Sequence, residues 1–227
     1  MSILVLATET PLGELPQLLW PALKETLQMV AVTMAIVVAV GTPLGVALHN
    51  SGRGGLFPRP RLNAVLSWIT NLGRSLPFLV LMASIIPFTR LLVGSTIGIW
   101  AAVVPMTVAG IPFFGRLVET ALREVPREVT DVARAAGGST LQIITRAQLS
   151  EALPGLVAGL TLNSIAMLEY SAIAGTIGAG GIGYLAIIYG YQRFDTNVMI
   201  ATVVLLIVLV QILQLTGDFA VRRLKHA

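Results

Sequence analysis

Residues Thr26–Leu48 read TLQMVAVTMAIVVAVGTPLGVAL, a run of 23 residues without a charged side chain. A helix of this length, at about 1.5 Å per residue, crosses a hydrocarbon layer about 30 Å thick. The whole chain has the same character, because 55% of its 227 residues are hydrophobic, 11% are charged and the mean hydropathy is +0.83. A soluble core could not hide such runs, so the sequence predicts an all-α integral membrane protein.

Four further apolar stretches predict four further membrane spans. The five predicted spans are 26–48, 62–87, 91–115, 152–174 and 196–217. They leave an N-terminal segment over 1–25, a charged loop over 116–151 and a C-terminal tail over 218–227. The second span contains Arg74 and the fourth contains Glu169, the two charged side chains inside the predicted spans.

The lysine and arginine residues are distributed unevenly among the segments that connect the spans. With the N-terminus outside, eleven of these residues fall on the inner side and three, Lys24, Arg90 and Arg193, fall on the outer side. Cytoplasmic loops are enriched in lysine and arginine, so we expect an extracytoplasmic N-terminus, a cytoplasmic 116–151 loop and a cytoplasmic tail. Met1–Ala7 contains no basic residue, so we expect the first span to act as an uncleaved insertion signal.

The 116–151 loop carries a helical pattern of its own. Pro126 is suited to a first helical position, and Arg127, Asp131 and Arg134 are left for the polar face. The small apolar residues that recur at helical spacing on the other face are Val129, Val132, Ala133 and Ala136. This pattern predicts a short amphipathic helix.

A glycine elbow is predicted to end this helix. Gly137 and Gly138 are typical of a helix C-terminus, and Ser139 followed by Gln142 is a capping-box start for a second helix. The pattern alone fits two functions equally, namely a helix that lies on lipid headgroups and a helix that docks another protein.

Several kinds of chemistry have no residues to support them. The chain has no cysteine and no phosphate-binding Gly-x-x-x-x-Gly-Lys-Ser/Thr motif. His49 and His226 lie at opposite ends of the sequence without nearby carboxylate clusters, so no metal site is expected. Gly178, Gly180 and Gly183 match a dinucleotide fingerprint, but an apolar membrane segment is the wrong context, and we interpret them as glycines of close helix contacts or of an irregular turn beside a cavity. No basic stripe interleaved with aromatic residues indicates nucleic acid.

The stretch DVARAAGGSTLQIITRAQLSEALPGL, over residues 131–156, resembles the EAA loop of ABC importer permeases. Two positions depart from that family's pattern. Asp131 stands where the family has glutamate, and Ser150 stands where a proline is common. The resemblance implies that the loop docks into a cleft of a separate ATPase, and the residues expected to couple are Asp131, Ala133, Arg134, Ala135, Gly137 and Gly138.

The resemblance covers nearly the whole chain from Thr26 and is strongest to the methionine-uptake, MetI-like permeases. The strings that carry it are GRSLPFLVLMASIIPFTRLLVGSTIG at 73–98, EALPGLV at 151–157 and YSAIAGTIGAGGIG at 170–183. It implies a non-catalytic subunit of the bacterial inner membrane that imports methionine, or another small amino acid or thioether compound, by alternating access. The implied partners are a second copy of the chain, two ATPase subunits that hold ATP and Mg²⁺, and an extracytoplasmic substrate-binding lipoprotein.

The charges inside the spans allow two interpretations. An ionisable group near a helix centre faces a partner or a wet cavity. In the first interpretation, Arg74 and Glu169 form a structural pair, or the acid snorkels towards the membrane surface. In the second, Glu169 lines the substrate pathway. The MetI-like family has a small residue at the position of Glu169. The residues predicted along the pathway are Arg74, Ser75, Asn163, Glu169, Tyr170 and Ser171. A secondary transporter is the rival function, but such proteins contain internal repeats and none is visible here.

Overall fold

The computed structural model describes residues 9–225, and the predictions about Met1–Ala7 and His226 lie outside this range. The described residues form helices and no strands, which confirms the predicted all-α fold. The helices are α1 Leu15–Ser51, α2 Pro60–Ser75, α3 Phe78–Ser84, α4 Ile86–Val93, α5 Ile99–Arg123, α6 Arg127–Ala135, α7 Thr140–Gln142, α8 Leu149–Glu151, α9 Leu153–Gly175, α10 Gly181–Tyr184 and α11 Thr196–Lys225. Ile143–Gln148 and Leu185–Gln192 are π-helical.

Four helices, α1, α5, α9 and α11, are long and apolar enough to cross a membrane. The helices α2 and α3 pass the same test together but meet at 101°, so the described residues hold four spans, or up to five if this bent pair is one span. On α11, large apolar side chains are exposed along the helix, as lipid contact requires. They include Ile200, Val204, Ile207, Ile212, Leu215 and Phe219.

The structure differs from the sequence-based boundaries in four places. The helix α1 begins at Leu15 rather than at 26, so it includes part of the segment predicted to precede the first span. The predicted 62–87 span is not one helix, because Leu76 adopts an extended conformation (φ −92°, ψ 133°) immediately before Pro77. Proline disfavours the helical conformation in the residue that precedes it. The helix of the third predicted span, α5, begins at Ile99 rather than 91 and continues to Arg123, and α11 continues through the predicted tail to Lys225.

The chain divides into two compact units. The first unit contains the chain up to Thr33 together with Phe78–Met106 and Ala166–Ile212. Its apolar core includes Ala22, Ile182, Leu185 and Val198. The second unit contains Met34–Pro77, Thr107–Ile165 and the chain from Leu213 onward, with a core that includes Val37, Phe114, Val118, Leu122 and Ala152.

A glycine turn in the first unit explains the fingerprint-like spacing. Gly180 and Gly181 have left-handed φ angles of +85° and +78°, and α10 begins at Gly181 with Gly180 as its N-cap. The Glu25 carboxylate accepts a hydrogen bond from the backbone N–H of Gly181 at 2.7 Å, and the Thr26 hydroxyl accepts one from Ile182 at 2.9 Å. Two side chains of α1 thus satisfy the free amides of this helix start, as a capping residue does.

Close helix contacts in the second unit depend on a glycine pair. A Cβ added at Gly45 of α1 would lie 2.5 Å from the carbonyl oxygen of Gly115 on α5 and from the side chain of Val118. Small residues allow the backbones of membrane helices to approach in this way. This contact holds the C-terminal part of α1 beside α5.

Candidate functional site

The segment predicted to dock a partner is a short helix that stands out from the second unit. The helix α6 runs from Arg127 to Ala135, and Pro126 is its N-cap rather than its first helical residue. Gly137 adopts a left-handed φ of +78°, and a Cβ added there would meet nothing within 4 Å. The predicted glycine elbow is therefore present, and the space beside it is open.

The apolar face predicted for α6 is only partly covered by the chain. Val129 and Ala133 are half-buried, whereas Ala136 is exposed and Val132 is 69% exposed. Leu141, just beyond the elbow, is 70% exposed. Asp131, Arg134 and Ala135 are also exposed. Exposed large apolar residues beside charged ones are typical of a surface that contacts another protein.

The helix that follows the elbow begins with the predicted capping box. The Gln142 backbone N–H donates to the Ser139 hydroxyl at 3.4 Å, and the Ser139 N–H donates to the Gln142 side-chain oxygen at 2.8 Å. The chain then continues through the π-helical segment Ile143–Gln148 to α8. The elbow and the cap set the geometry of the loop between Gly137 and Gln142 through local contacts.

Behind α6 the second unit contains an open cleft of about 690 Å³. The residues that line it come from the end of α1, the turn after α1, the end of α5 and α6, and they include Arg53, Arg123, Arg127, Arg134, Glu119 and Asp131. Four arginines against two carboxylates give the cleft a positive charge. The cleft separates α6 from the helices α1 and α5 over part of the length of α6. Both the side of α6 that faces the cleft and the opposite side are therefore accessible.

Glu119 on α5 is a residue of this cleft that sequence analysis missed. Its side chain is 2% exposed and accepts hydrogen bonds from Arg116 and Arg123. Arg116 also donates to the side-chain oxygen of Asn71 at 2.8 Å. The i, i+3, i+7 spacing of Arg116, Glu119 and Arg123 is visible in the sequence, and it places the three residues on one helix face.

The residues predicted along the substrate pathway are divided between the two units. In the second unit, the Arg74 guanidinium lies 5.8 Å from the centre of the Phe113 ring, and the Ser75 hydroxyl donates to the carbonyl of Leu72. Asn163 is fully buried and donates to the sulfur of Met34 at 3.3 Å.

In the first unit, the Tyr170 ring stacks on Phe78 with centroids 4.2 Å apart and planes inclined by 6°. Ser171 is buried and donates to the carbonyl of Leu168, whereas Glu169 is exposed on α9. Neither Arg74 nor Glu169 takes part in an ion pair within residues 9–225, where both salt bridges involve Glu119. Phe78 is a further aromatic neighbour of the predicted pathway residues that sequence analysis missed.

No group of three or more histidine, aspartate or glutamate side chains within the described range could hold a metal ion.

Long apolar helices, a bent helix pair and an exposed helix–glycine–helix loop define an α-helical membrane transport component. Residues 41–226 match the family described as "Binding-protein-dependent transport system inner membrane component", and the chain belongs to that family. The predicted resemblance to ABC importer permeases is confirmed.

Relatives with assigned names cover almost the full chain. A probable D-methionine transport system permease protein MetI of Vibrio cholerae is 49% identical over 92% of this chain and 93% of its own length. The methionine import system permease protein MetP of Bacillus subtilis is 38% identical over 88% and 90%. A solved chain of the MetNI methionine ABC transporter in inward-facing conformations is 40% identical, covers 95% of this chain and 99% of its own, and superposes with a TM-score of 0.92.

Proposed function

We propose that this chain is the membrane-spanning subunit of an ATP-driven importer of methionine. The observation that carries the proposal is the open surface around Gly137, where an exposed apolar helix and a glycine elbow leave room for another protein. The names of the relatives support methionine as the solute, since those proteins are described as methionine or D-methionine permeases. The chain itself contributes no phosphate-binding motif, so ATP and Mg²⁺ bind to the partner.

The proposed assembly contains two copies of this chain, two ATPase subunits and an extracytoplasmic binding protein. Each ATPase receives one loop, with Asp131, Arg134 and Ala135 on the exposed side of α6. Closure of the ATPase subunits then moves the two permease chains between inward-open and outward-open states by rigid-body rotation. This chain forms the pathway and is not an enzyme.

Uptake into sealed proteoliposomes tests the proposal. Vesicles with this chain, its ATPase and its binding protein are expected to accumulate labelled methionine when ATP is supplied on the ATPase side. Omission of the ATPase or of ATP is expected to abolish accumulation, and competition with unlabelled amino acids and thioethers ranks the solutes. Accumulation driven by an ion gradient without ATP would favour a secondary transporter instead.

We also propose that Glu169 contacts the pathway rather than serving only to stabilise the fold. The carboxylate is exposed on α9 within a span, and a charge facing lipid there would cost about 2.5 to 3.5 kcal/mol. A pathway role predicts that Glu169→Gln assembles normally but changes the apparent affinity or the choice of solute. A structural pair with Arg74 predicts a low folded yield that Arg74→Gln restores.

The proposed orientation places the coupling loop in the cytoplasm, and thiol labelling tests it because the chain has no cysteine. Ser51, at the end of α1, is not a suitable inner reporter, because it is 1% exposed and would be protected from reagent on either side. Ser150 and Ser95 are both exposed and provide a matched pair. In intact cells, an impermeant reagent is expected to label Ser95→Cys and to leave Ser150→Cys unlabelled until the cells are permeabilised. The reverse pattern would contradict the orientation.

A further inference from the structure

A pair of buried amide side chains joins the coupling loop to the end of α1. Gln148 is the last residue of the π-helical segment in the loop, and Asn50 lies in the last turn of α1. Gln148 is 3% exposed and Asn50 is fully buried. Neither residue belongs to the set predicted to couple to the ATPase, so the pair adds a contact that the family resemblance did not suggest.

The two amides bind each other through reciprocal hydrogen bonds. The Asn50 Nδ2 donates to the Gln148 Oε1 at 2.9 Å, and the Gln148 Nε2 donates to the Asn50 Oδ1 at 3.1 Å. Each side chain thus offers one donor and one acceptor to the other. Water cannot replace these bonds at a buried site without a rearrangement of the surrounding side chains, so the loop and the end of α1 are held in one register.

Asn50 also organises the turn that follows α1. Its Nδ2 donates to the carbonyl of Val46 at 3.1 Å, its Oδ1 accepts from the backbone N–H of Leu56 at 3.4 Å, and its carbonyl accepts from Phe57 at 3.1 Å. One residue therefore connects α1, the turn after α1 and the coupling loop.

The backbone around Gln148 has an unusual conformation. Residues 143–148 form a π-helix, a rare structure that is frequent at functional sites. The wider turn interrupts the regular hydrogen-bond ladder between α7 and α8 at the place where Gln148 reaches α1. A displacement of the loop that preserves the two amide bonds must also displace the end of α1, which continues without a break from Leu15 to Ser51.

We propose that the Asn50–Gln148 bridge transmits motion of the ATPase-docked loop to α1, and that these two residues are positioning residues for transport. The inference rests on the proposed function, since it takes the loop to be the ATPase dock. A purely structural bridge would affect only folded yield and melting temperature. A transmitting bridge affects how much ATP is hydrolysed for each solute molecule carried.

The test separates hydrogen bonding from packing. The double variant Asn50→Leu/Gln148→Met replaces both amides with apolar groups of similar size, so neither amide is left buried without the other. Its remaining cost is the backbone N–H of Leu56, which loses the Asn50 oxygen as its acceptor. The exchange variant Asn50→Gln/Gln148→Asn keeps all donors and acceptors. The matched control is Asn63→Leu, because the Asn63 side chain donates to Leu48 and Ser51 at the same end of α1 but does not bind the loop.

The measurement is the ratio of ATP hydrolysed to methionine accumulated in proteoliposomes that contain the complete transporter. We expect the double variant to co-purify with the ATPase and to raise this ratio about tenfold, and we expect the exchange variant and Asn63→Leu to stay within about twofold of the wild type. If the double variant does not fold, Gln148→Met alone must show the increase, since Asn50 then keeps its bonds to Val46 and Leu56.

A wild-type ratio in the folded double variant, or in Gln148→Met where the double variant does not fold, would overturn the inference and leave the bridge as a packing feature. Absence of ATP-driven methionine uptake by the wild-type complex would instead overturn the proposed function. The two failures are distinguishable because the first is read from variants and the second from the unmodified protein.

Discussion

Two glycines in this chain share a φ of +78° and lie in opposite surroundings. A Cβ added at Gly137 of the coupling loop would meet nothing within 4 Å, whereas a Cβ added at Gly181 would lie 2.6 Å from the Thr26 hydroxyl. Both positions need glycine for the backbone conformation. At Gly181 the chain itself fills the adjacent space, and at Gly137 it leaves the space empty. The comparison teaches that the turn at Gly181 is part of the packed fold, whereas the open turn at Gly137 leaves the space that the proposed partner needs.

The largest effect is expected where the turn is filled. A Cβ at Gly183 would lie 2.2 Å from the carbonyl oxygen of Ala172, a backbone atom that cannot move aside by a rotamer change. We expect Gly183→Ala to cost about 3 kcal/mol or more and to reduce the monodisperse yield severely. Gly13→Ala is the matched control, since a Cβ there meets nothing within 4 Å. Equal yields and melting temperatures for the two variants would remove the distinction between filled and open turns.

The second prediction concerns the stability of the region behind the open loop, where Glu119 is buried. Glu119→Gln removes a buried charge that two arginines contact, and we expect a loss of about 3 kcal/mol. Glu128→Gln on exposed α6 is the control and is expected to change stability by less than about 0.5 kcal/mol. Thermal unfolding in detergent measures both. A loss in Glu128→Gln as large as that in Glu119→Gln would show that α6 is not an isolated surface element.

The open turn is expected to tolerate a large side chain. Gly137→Leu places a non-glycine residue at positive φ, which costs about 1 to 2 kcal/mol, but no atom obstructs it. We expect normal insertion and yield together with loss of ATPase co-purification and of ATP-driven uptake. Wild-type uptake by this variant would show that the loop lies on the headgroups and does not dock the ATPase.

The smallest effect concerns a capping residue of the first unit. Burial alone would raise the pKa of Asp195, but hydrogen bonds from Thr10 and from the backbone of Val198 and Asn197 lower this pKa below its ordinary value. The stabilisation is therefore present above the unfolded pKa of about 4 and is lost as the pH falls through the lower folded pKa. Asp195→Asn removes the charge that strengthens the hydrogen bonds from Thr10, so it is expected to cost about 1 kcal/mol at pH 7 and to flatten the acid dependence of the melting temperature. An unchanged acid dependence would contradict this assignment.

Local features of the sequence predicted the loop well. The capping box at Ser139 and Gln142 and the glycine elbow at Gly137 depend on neighbours within a few residues, so spacing alone reveals them. The break at Leu76 had a local signal as well, because Pro77 follows it directly. The prediction of one span over 62–87 relied on the length of the apolar stretch and gave less weight to Pro77.

Contacts between distant parts of the chain could not be predicted in the same way. Asn50 and Gln148 are 98 residues apart, and Glu25 and Gly181 are 156 residues apart. Periodicity shows which face of a helix is apolar but does not identify the partner of a polar side chain on another helix. Gly180 is one of the three glycines that match a dinucleotide fingerprint in the sequence. Only the structure shows that it belongs to a turn whose free amides bind side chains of α1.

The most direct test of the account is thiol labelling of Val132→Cys. Val132 on α6 is 69% exposed, and the substitution introduces the only cysteine. The purified permease alone is expected to react rapidly. After assembly with the ATPase, the reaction is expected to slow about tenfold or more, while Ser95→Cys reacts at the same rate in both preparations. An unchanged rate at Val132→Cys in a complex that still drives methionine uptake would contradict the claim that the open side of this loop is the ATPase docking surface.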